Sequence, residues 1–206
     1  MPELLKGLYV ITDEHLTPDE TVHVYVEEAI KAGASVVQYR NKTKSDEEVE
    51  AVCRTLQEVC RRYNVPFIID DRPHLARKIK ADGLHIGKDD MSIEEARAIF
   101  PEGIIGVSCY GSIRKAKEAE AQGASYVAFG SFFASPTKPY SGIISMNVLH
   151  KAKEALKIPV CAIGGINQTN IAEVASHGAD MISVVSGVFR GDVQSNVSNL
   201  IKGMKI

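Results

Sequence analysis

No long apolar run, no block of like charge and no paired-cysteine motif occurs in this 206-residue chain. Each absence removes a class of function. Without 18 consecutive apolar residues there is no candidate membrane span, and the first residues lack the apolar core of a signal peptide. A cytoplasmic protein with no membrane partner is therefore expected. Lys and Arg are scattered and the net charge is −2, which argues against nucleic acid as a partner. Cys53, Cys60, Cys109 and Cys161 show no C-x-x-C spacing and have apolar neighbours such as Val52, Val107 and Val160. They read as buried thiols, neither disulfides nor zinc ligands. Ser- or Gly-rich linkers are also missing, so one domain over residues 1–206 is expected. Its 45% hydrophobic residues suffice for a sizeable core.

What is present is one pattern, repeated. Short β-branched runs occur at Leu8 to Thr12, Val36 to Tyr39, Pro66 to Ile69, Gly83 to Ile86, Ile104 to Ser108, Tyr126 to Phe129, Val160 to Ile163 and Met181 to Val185. Between them, Val22 to Ala32, Glu47 to Arg62, Ile113 to Gln122, Ile171 to His177 and Val193 to Lys202 carry apolar residues at three- and four-residue steps, the period of an amphipathic helix. Gly33, Gly123 and Gly178, each followed by alanine, mark equivalent helix ends. An open doubly wound sheet has the same alternation. The count of about eight units, at roughly 25 residues each, instead favours an α/β fold closed on itself, a single (β/α)8 TIM barrel.

In such barrels the chemistry sits at the carboxyl ends of the strands, and those ends are polar here. They carry Gln38, Arg40 and Lys42 after the second run and Asp70 and Asp71 after the third. Lys88, Asp89 and Asp90 follow the fourth run, and Ser108 ends the fifth. The sixth is followed by Ser135-Pro136-Thr137-Lys138, the seventh by Gly164-Gly165, and the eighth ends in Val185-Ser186-Gly187. Arg40, Lys42 and Lys138 bring more positive charge than a monophosphate needs. Asp71 and Asp90 are hard oxygen donors of the kind that hold Mg²⁺ together with a substrate's phosphate oxygens. Cations plus a metal suggest a pyrophosphate. The glycines after the seventh and eighth runs lie where barrels grip a second phosphate with backbone N–H groups.

Plainer readings compete. Asp70-Asp71-Arg72-Pro73 and Asp89-Asp90-Met91-Ser92 both have the composition of helix caps. Arg40-Asn41-Lys42 suits a solvated face, and glycine pairs are ordinary at tight turns. His85 reads as a packed or lining residue of the fourth strand. The recurrence of polar, charged residues at the same place in successive units favours the functional reading.

The set Gln38-Tyr-Arg-Asn-Lys42, Asp70-Asp71-Arg72, Gly83-Leu-His-Ile-Gly-Lys-Asp-Asp90, Gly106-Val-Ser108, Ser135-Pro-Thr-Lys138 and Ala162-Ile-Gly-Gly165 resembles the thiamine phosphate synthase family from about Leu8 to Phe189. Members join a hydroxymethylpyrimidine pyrophosphate to a thiazole phosphate and release pyrophosphate, by a dissociative substitution. The resemblance implies that Gln38, Tyr39, Arg40, Asn41, Lys42, Asp70, Ser108 and Lys138 bind the pyrimidine pyrophosphate. It implies catalytic roles for Arg40, Lys42, Ser108 and Lys138, and Mg²⁺ as cofactor on Asp71 and Asp90. Ser135, Pro136, Thr137, Gly165, Val185 and Ser186 would take the thiazole phosphate. Partners would be these small-molecule substrates, with a homo-oligomer left open.

Four positions depart from the family pattern: Asn41 for a glutamate, Asp70 for an asparagine, Tyr110 for a histidine and Ser135 for a threonine. Asp70 matters most, because a carboxylate beside a pyrophosphate repels it unless it is protonated or paired with the metal or with Arg72. Two alternatives follow. One is the related thiazole tautomerase, which needs neither pyrophosphate nor metal; its proton-shuttling histidine aligns with Tyr110. The other is a non-catalytic binder of thiamine intermediates, supported chiefly by Asp70.

Overall fold

Eight short strands, β1 (Gly7–Ile11), β2 (Val36–Tyr39), β3 (Phe67–Asp70), β4 (Gly83–Ile86), β5 (Ile104–Tyr110), β6 (Tyr126–Phe129), β7 (Val160–Ile163) and β8 (Met181–Val184), follow one another around a closed barrel. The structure is a computed structural model and describes residues 5–87, 90–134 and 142–205. Every strand pair is parallel, and β8 closes on β1 in the register Gly7↔Met181 to Val10↔Val184. The expected (β/α)8 barrel is thus formed, with strand bounds within about one residue of the β-branched runs except at β5. That strand continues to Tyr110 through a register shift between Ser108 and Tyr110.

Helices α1 (Val22–Lys31), α2 (Asp46–Arg62), α3 (Pro73–Ile79), α4 (Ile93–Ile99), α5 (Ile113–Ala121), α6 (Asn147–Ala155), α7 (Ile171–Ser176), α8 (Ser186–Phe189) and α9 (Val193–Met204) cover the outside. Two start in reciprocal capping boxes, Ser45 with Glu48 and Ser92 with Glu95. In each, the side-chain oxygens satisfy N–H groups the helix leaves unpaired, and replacing such a cap by alanine costs about 1 kcal/mol. After α1, α5 and α7 the chain turns at Gly33, Gly123 and Gly178, all with positive φ. No helix among the described residues is long and apolar enough to cross a membrane.

The pleat divides the strand side chains between two cores. Outward residues such as Leu8, Val37, Phe67, Ile69, Leu84 and Val127 pack against the apolar stripes of the helices. The α1 stripe is Val22, Val26, Ala29 and Ile30, and a fully buried aliphatic side chain contributes about 1.5–3 kcal/mol. Inward residues Tyr9, Val36, Ile68, Ile104, Tyr126 and Met181 fill the barrel itself. Above this filled lower part, the barrel interior opens into a cavity at the carboxyl ends of the strands.

Candidate active site

The inward positions nearest the strand ends are polar and line one cavity, with Gln38, Arg40 and Lys42 from β2 and its loop, Asp70 from β3, His85 and Asp90 from β4 and its loop, and Ser108 from β5. Across from them lie Gly164, Gly165, Val185 and Ser186. Gln38, Arg40, Lys42, Asp70 and Ser108 of one expected group and Gly165, Val185 and Ser186 of the other thus line one cavity. Lys88, Asp89, Ser135, Pro136, Thr137 and Lys138 lie outside the described residues.

Strand alternation sorts the run from Gln38 to Lys42. Gln38, Arg40 and Lys42 face the cavity. Tyr39 is 2% exposed, packs among the outer core residues and donates its hydroxyl to Asp19 Oδ1 at 2.8 Å. Asn41 is spent on the loop: its Oδ1 accepts from the backbone N–H groups of Thr43 and Lys44, both at 3.0 Å. The side chains of Tyr39 and Asn41 therefore do not line the cavity, unlike those of the other three residues of the run.

The charged rim is a cluster in contact. Lys42 Nζ lies 2.9 Å from Asp70 Oδ2 and also contacts Asp71 Oδ2. Arg40 Nε is 3.8 Å from the same Asp70 oxygen, and its Nη1 is 3.4 Å from Glu14 Oε2. Burial opposes the Lys42 charge, but Asp70 and Asp71 outweigh it and hold its pKa above the usual lysine value. Burial raises the Asp71 pKa; Lys42 pulls it back, and the charges of Asp70 and Asp90 push it further up. Asp71 and Asp90 thus feel each other. A partly exposed rim where carboxylates from two adjacent strands repel, and already draw in an ammonium, suits a hard divalent cation such as Mg²⁺. Among the described residues no group of three or more His, Cys, Asp or Glu side chains forms a metal cage. Two carboxylates with substrate oxygens is the arrangement Mg²⁺ commonly uses.

The capping readings of these aspartates fail. The N-cap of α3 is Arg72, without a side-chain cap bond, while Asp71 adopts the left-handed conformation at φ 50°. The cap of α4 is Ser92, which leaves Asp90 at the cavity. Arg72 does not neutralise Asp70 either. Its guanidinium holds the β2–α2 loop through Asp46 Oδ1 and the carbonyls of Asn41 and Lys44, each at 2.6 Å. Arg40 and Lys42 do the neutralising.

Gly164 and Gly165 have φ of 104° and 68° and press on the segment after β6: a Cβ on Gly165 would sit 2.5 Å from the Ala134 carbonyl oxygen. That contact sets the floor beneath the opposite rim. Tyr110, at φ 57° and 40% exposed, carries the bulge at the edge of the cavity with Lys115 Nζ 6.0 Å from its ring centre. Cys109 beside it is fully buried, with its thiol pushed up to about 12 by burial and absent from the cavity wall. A thiol in that state is not a nucleophile.

Other residues escaped the sequence reading. Glu14 and Thr12, after β1, hold Arg40: Thr12 Oγ1 accepts from the Arg40 backbone N–H at 3.0 Å. Tyr9, Tyr126 and Ser183 are buried polar residues inside the barrel, and among the described residues Ser183 Oγ has no hydrogen-bond partner. Period-two alternation places them inward, but nothing local distinguishes them from apolar fill.

A family model described as thiamine monophosphate synthase matches residues 8–188. The chain belongs to the thiamine monophosphate synthase family. It is 43% identical over 206 residues to the thiamine-phosphate synthase of Wolinella succinogenes, covering 98% of this chain and 95% of that relative. Identity to the thiamine-phosphate synthase of Acidithiobacillus ferrooxidans is 44% over 195 residues, covering 92% and 89%. The solved thiamine phosphate pyrophosphorylase from Pyrococcus furiosus superposes with a TM-score of 0.90 at 40% identity, covering 99% of this chain and 97% of that one. A geranylgeranylglyceryl phosphate synthase from Thermoplasma acidophilum, at 19% identity and a TM-score of 0.69, shares the fold alone.

Proposed function

We infer that the protein is a thiamine-phosphate synthase: it joins hydroxymethylpyrimidine pyrophosphate to thiazole phosphate, giving thiamine phosphate and pyrophosphate. The observation that carries this reading is the cluster of Arg40, Lys42, Asp70 and Asp71 beside Asp90, gathered on one rim above Gln38 and Ser108. Such a rim suits a leaving polyanion.

An amino-substituted pyrimidine shares positive charge at its methylene carbon, so the carbon–oxygen bond can break before the thiazole nitrogen attacks. No nucleophilic side chain is required. Asp71 and Asp90 would hold Mg²⁺, which when bound supplies positive charge to the diphosphate oxygens. Arg40 and Lys42 face the same space and bind those oxygens, the arginine through two parallel donors and the lysine as a point charge. Fixed charge of this kind commonly contributes several kcal/mol to lowering a barrier. Lys138 adds a further cation from the β6 loop. Ser108 meets the pyrimidine. Gly165, Val185 and Ser186 on the opposite side would hold the thiazole phosphate, and Ser135, Pro136 and Thr137 are proposed to share that role. The enzyme is proposed to work in the cytoplasm on these small molecules.

The pairing of Asp70 with Lys42 and Arg40 removes the main support for a silent binder, because the carboxylate does not face a diphosphate uncompensated. The test is direct. Both substrates with Mg²⁺ should yield pyrophosphate and thiamine phosphate in equal amounts, and chelation should stop both. Binding without product, or turnover indifferent to chelation, would refute the reading.

A further inference from the structure

Five polar side chains from five strands form an unbroken hydrogen-bonded chain across the barrel interior, ending at the cavity. Gln38 Nε2 donates to Tyr9 Oη at 2.7 Å, and Tyr9 Oη meets Tyr126 Oη at 2.9 Å. Tyr126 Oη is 2.8 Å from His85 Nδ1, and His85 Nε2 is 2.9 Å from Ser108 Oγ. Gln38, Tyr9 and Tyr126 are 2%, 1% and 0% exposed. Burial pushes both phenols well above the ordinary tyrosine value, so each keeps its single proton. Gly106 makes the chain possible: a Cβ there would lie 2.0 Å from Tyr126 Cζ.

A hydroxyl with one proton that accepts from one neighbour can donate only to the other. Starting from the Gln38 amide N–H, Tyr9 must donate to Tyr126, and Tyr126 must donate to His85 Nδ1. That nitrogen is then bare, so the ring proton resides on Nε2 and is donated to Ser108 Oγ. The Ser108 proton, with its oxygen engaged from behind, is left to point into the cavity. Rotating the Gln38 amide would reverse every arrow: His85 would carry its proton on Nδ1, and Ser108 would become an acceptor toward the cavity. The tautomer of His85 therefore reports the polarity of the whole chain.

We propose that Gln38, Tyr9, Tyr126 and His85 form a one-way relay that locks His85 as the Nε2–H tautomer and fixes Ser108 as a hydrogen-bond donor to an acceptor nitrogen of the heterocyclic substrate. Tyr9, Tyr126 and His85 are positioning residues, acting through Ser108. The proposal deepens the synthase reading and rests on it for the identity of the substrate. A fixed donor selects among aromatic nitrogen heterocycles, because a ring presenting C–H or N–H at that point would leave the Ser108 proton unpaired in a buried site.

Two measurements test it. Long-range ¹H–¹⁵N correlation on the unmutated enzyme at pH 7 should give His85 a protonated Nε2 and a bare Nδ1. Kinetics of Ser108→Ala, Tyr126→Phe and the double variant should show about ten-fold losses of kcat for each single change, and in the double variant no loss beyond that of Ser108→Ala. His85→Gln, which keeps a donor toward Ser108, should retain most of the activity that His85→Leu loses. A bare Nε2, or multiplicative losses in the double variant, overturns the relay. If the unmutated enzyme makes no thiamine phosphate while the tautomer is as stated, the synthase reading falls instead, and the failure is visibly not the relay's.

Discussion

Placing a single methyl group on Gly106 should separate steric fit from chemistry inside the barrel. Gly106 has no left-handed backbone requirement, so Gly106→Ala acts through its side chain alone. The added carbon would lie 2.0 Å from Tyr126 Cζ and 2.3 Å from its hydroxyl oxygen. Since nonbonded carbons rest at about 3.5 Å or more, the ring must retreat by about 1.5 Å. Tyr126 is fully buried and pinned by bonds of 2.9 Å to Tyr9 and 2.8 Å to His85, and neither survives such a shift. Overpacking costs about 1–3 kcal/mol, and two lost buried hydrogen bonds add about 1 kcal/mol each. The sum of roughly 3–5 kcal/mol corresponds to a fall in Tm on the order of 10 °C for a chain of this size. Thermal unfolding by circular dichroism measures it, and combining Tyr126→Leu with Gly106→Ala, which removes the para position, should recover part of the loss. A Tm within about 2 °C of the parent, with normal turnover, would refute both the packing argument and the role assigned to Tyr126.

Asp70→Asn should lower the KM for the pyrimidine pyrophosphate several-fold, since removing one charge near a diphosphate is worth on the order of 1 kcal/mol at the effective dielectric of a partly buried site. A raised KM in steady-state assays would mean that Asp70 helps hold the metal. Asp90→Ala and Lys138→Ala should each slow turnover at least a hundred-fold, through Mg²⁺ and leaving-group charge respectively. Near-normal kcat in either variant contradicts its assignment. The Cys53 and Cys109 thiols are pushed up to about 12 by burial, above an unfolded value near 9.0, so the folded state binds more protons in that window. Their stabilising contribution is complete below pH 9 and is lost as pH rises toward 12, at about 1.4 kcal/mol per thiol per pH unit. Urea unfolding between pH 7 and 10.5 should show stability declining above pH 9, and Cys53→Ser/Cys109→Ser should flatten that decline; an unchanged slope contradicts it.

The barrel was legible because β-branched runs of four or five residues recur between helical periods, and because the glycines after α1, α5 and α7 do turn the chain. The end of β5 was not. Cys109 and Tyr110 carry the strand past the expected end at Ser108 through a register shift, which the run of β-branched residues does not announce. The charged rim was legible from position alone: Arg40, Lys42, Asp70 and Asp90 all stand at or just past the end of a strand. That the side chains of Tyr39 and Asn41 turn away from the cavity was not legible, because neighbours in sequence point to opposite faces of a strand, a distinction a motif does not carry. Arg72, one of the alternatives considered for compensating Asp70, lies two residues away in the chain yet serves the neighbouring loop. The relay was beyond reach, since Tyr9 and Tyr126 stand 117 positions apart and meet only when the barrel closes.

Position 71 carries a double demand. Its backbone angle of φ 50° is one that glycine, asparagine and aspartate adopt readily and β-branched residues resist. Of those three only aspartate presents an anionic oxygen. Drift at this site is therefore channelled toward asparagine or glycine, which would leave the barrel intact and strip it of half its proposed cation grip. Inactive descendants of such a protein should keep their shape and be betrayed by one residue.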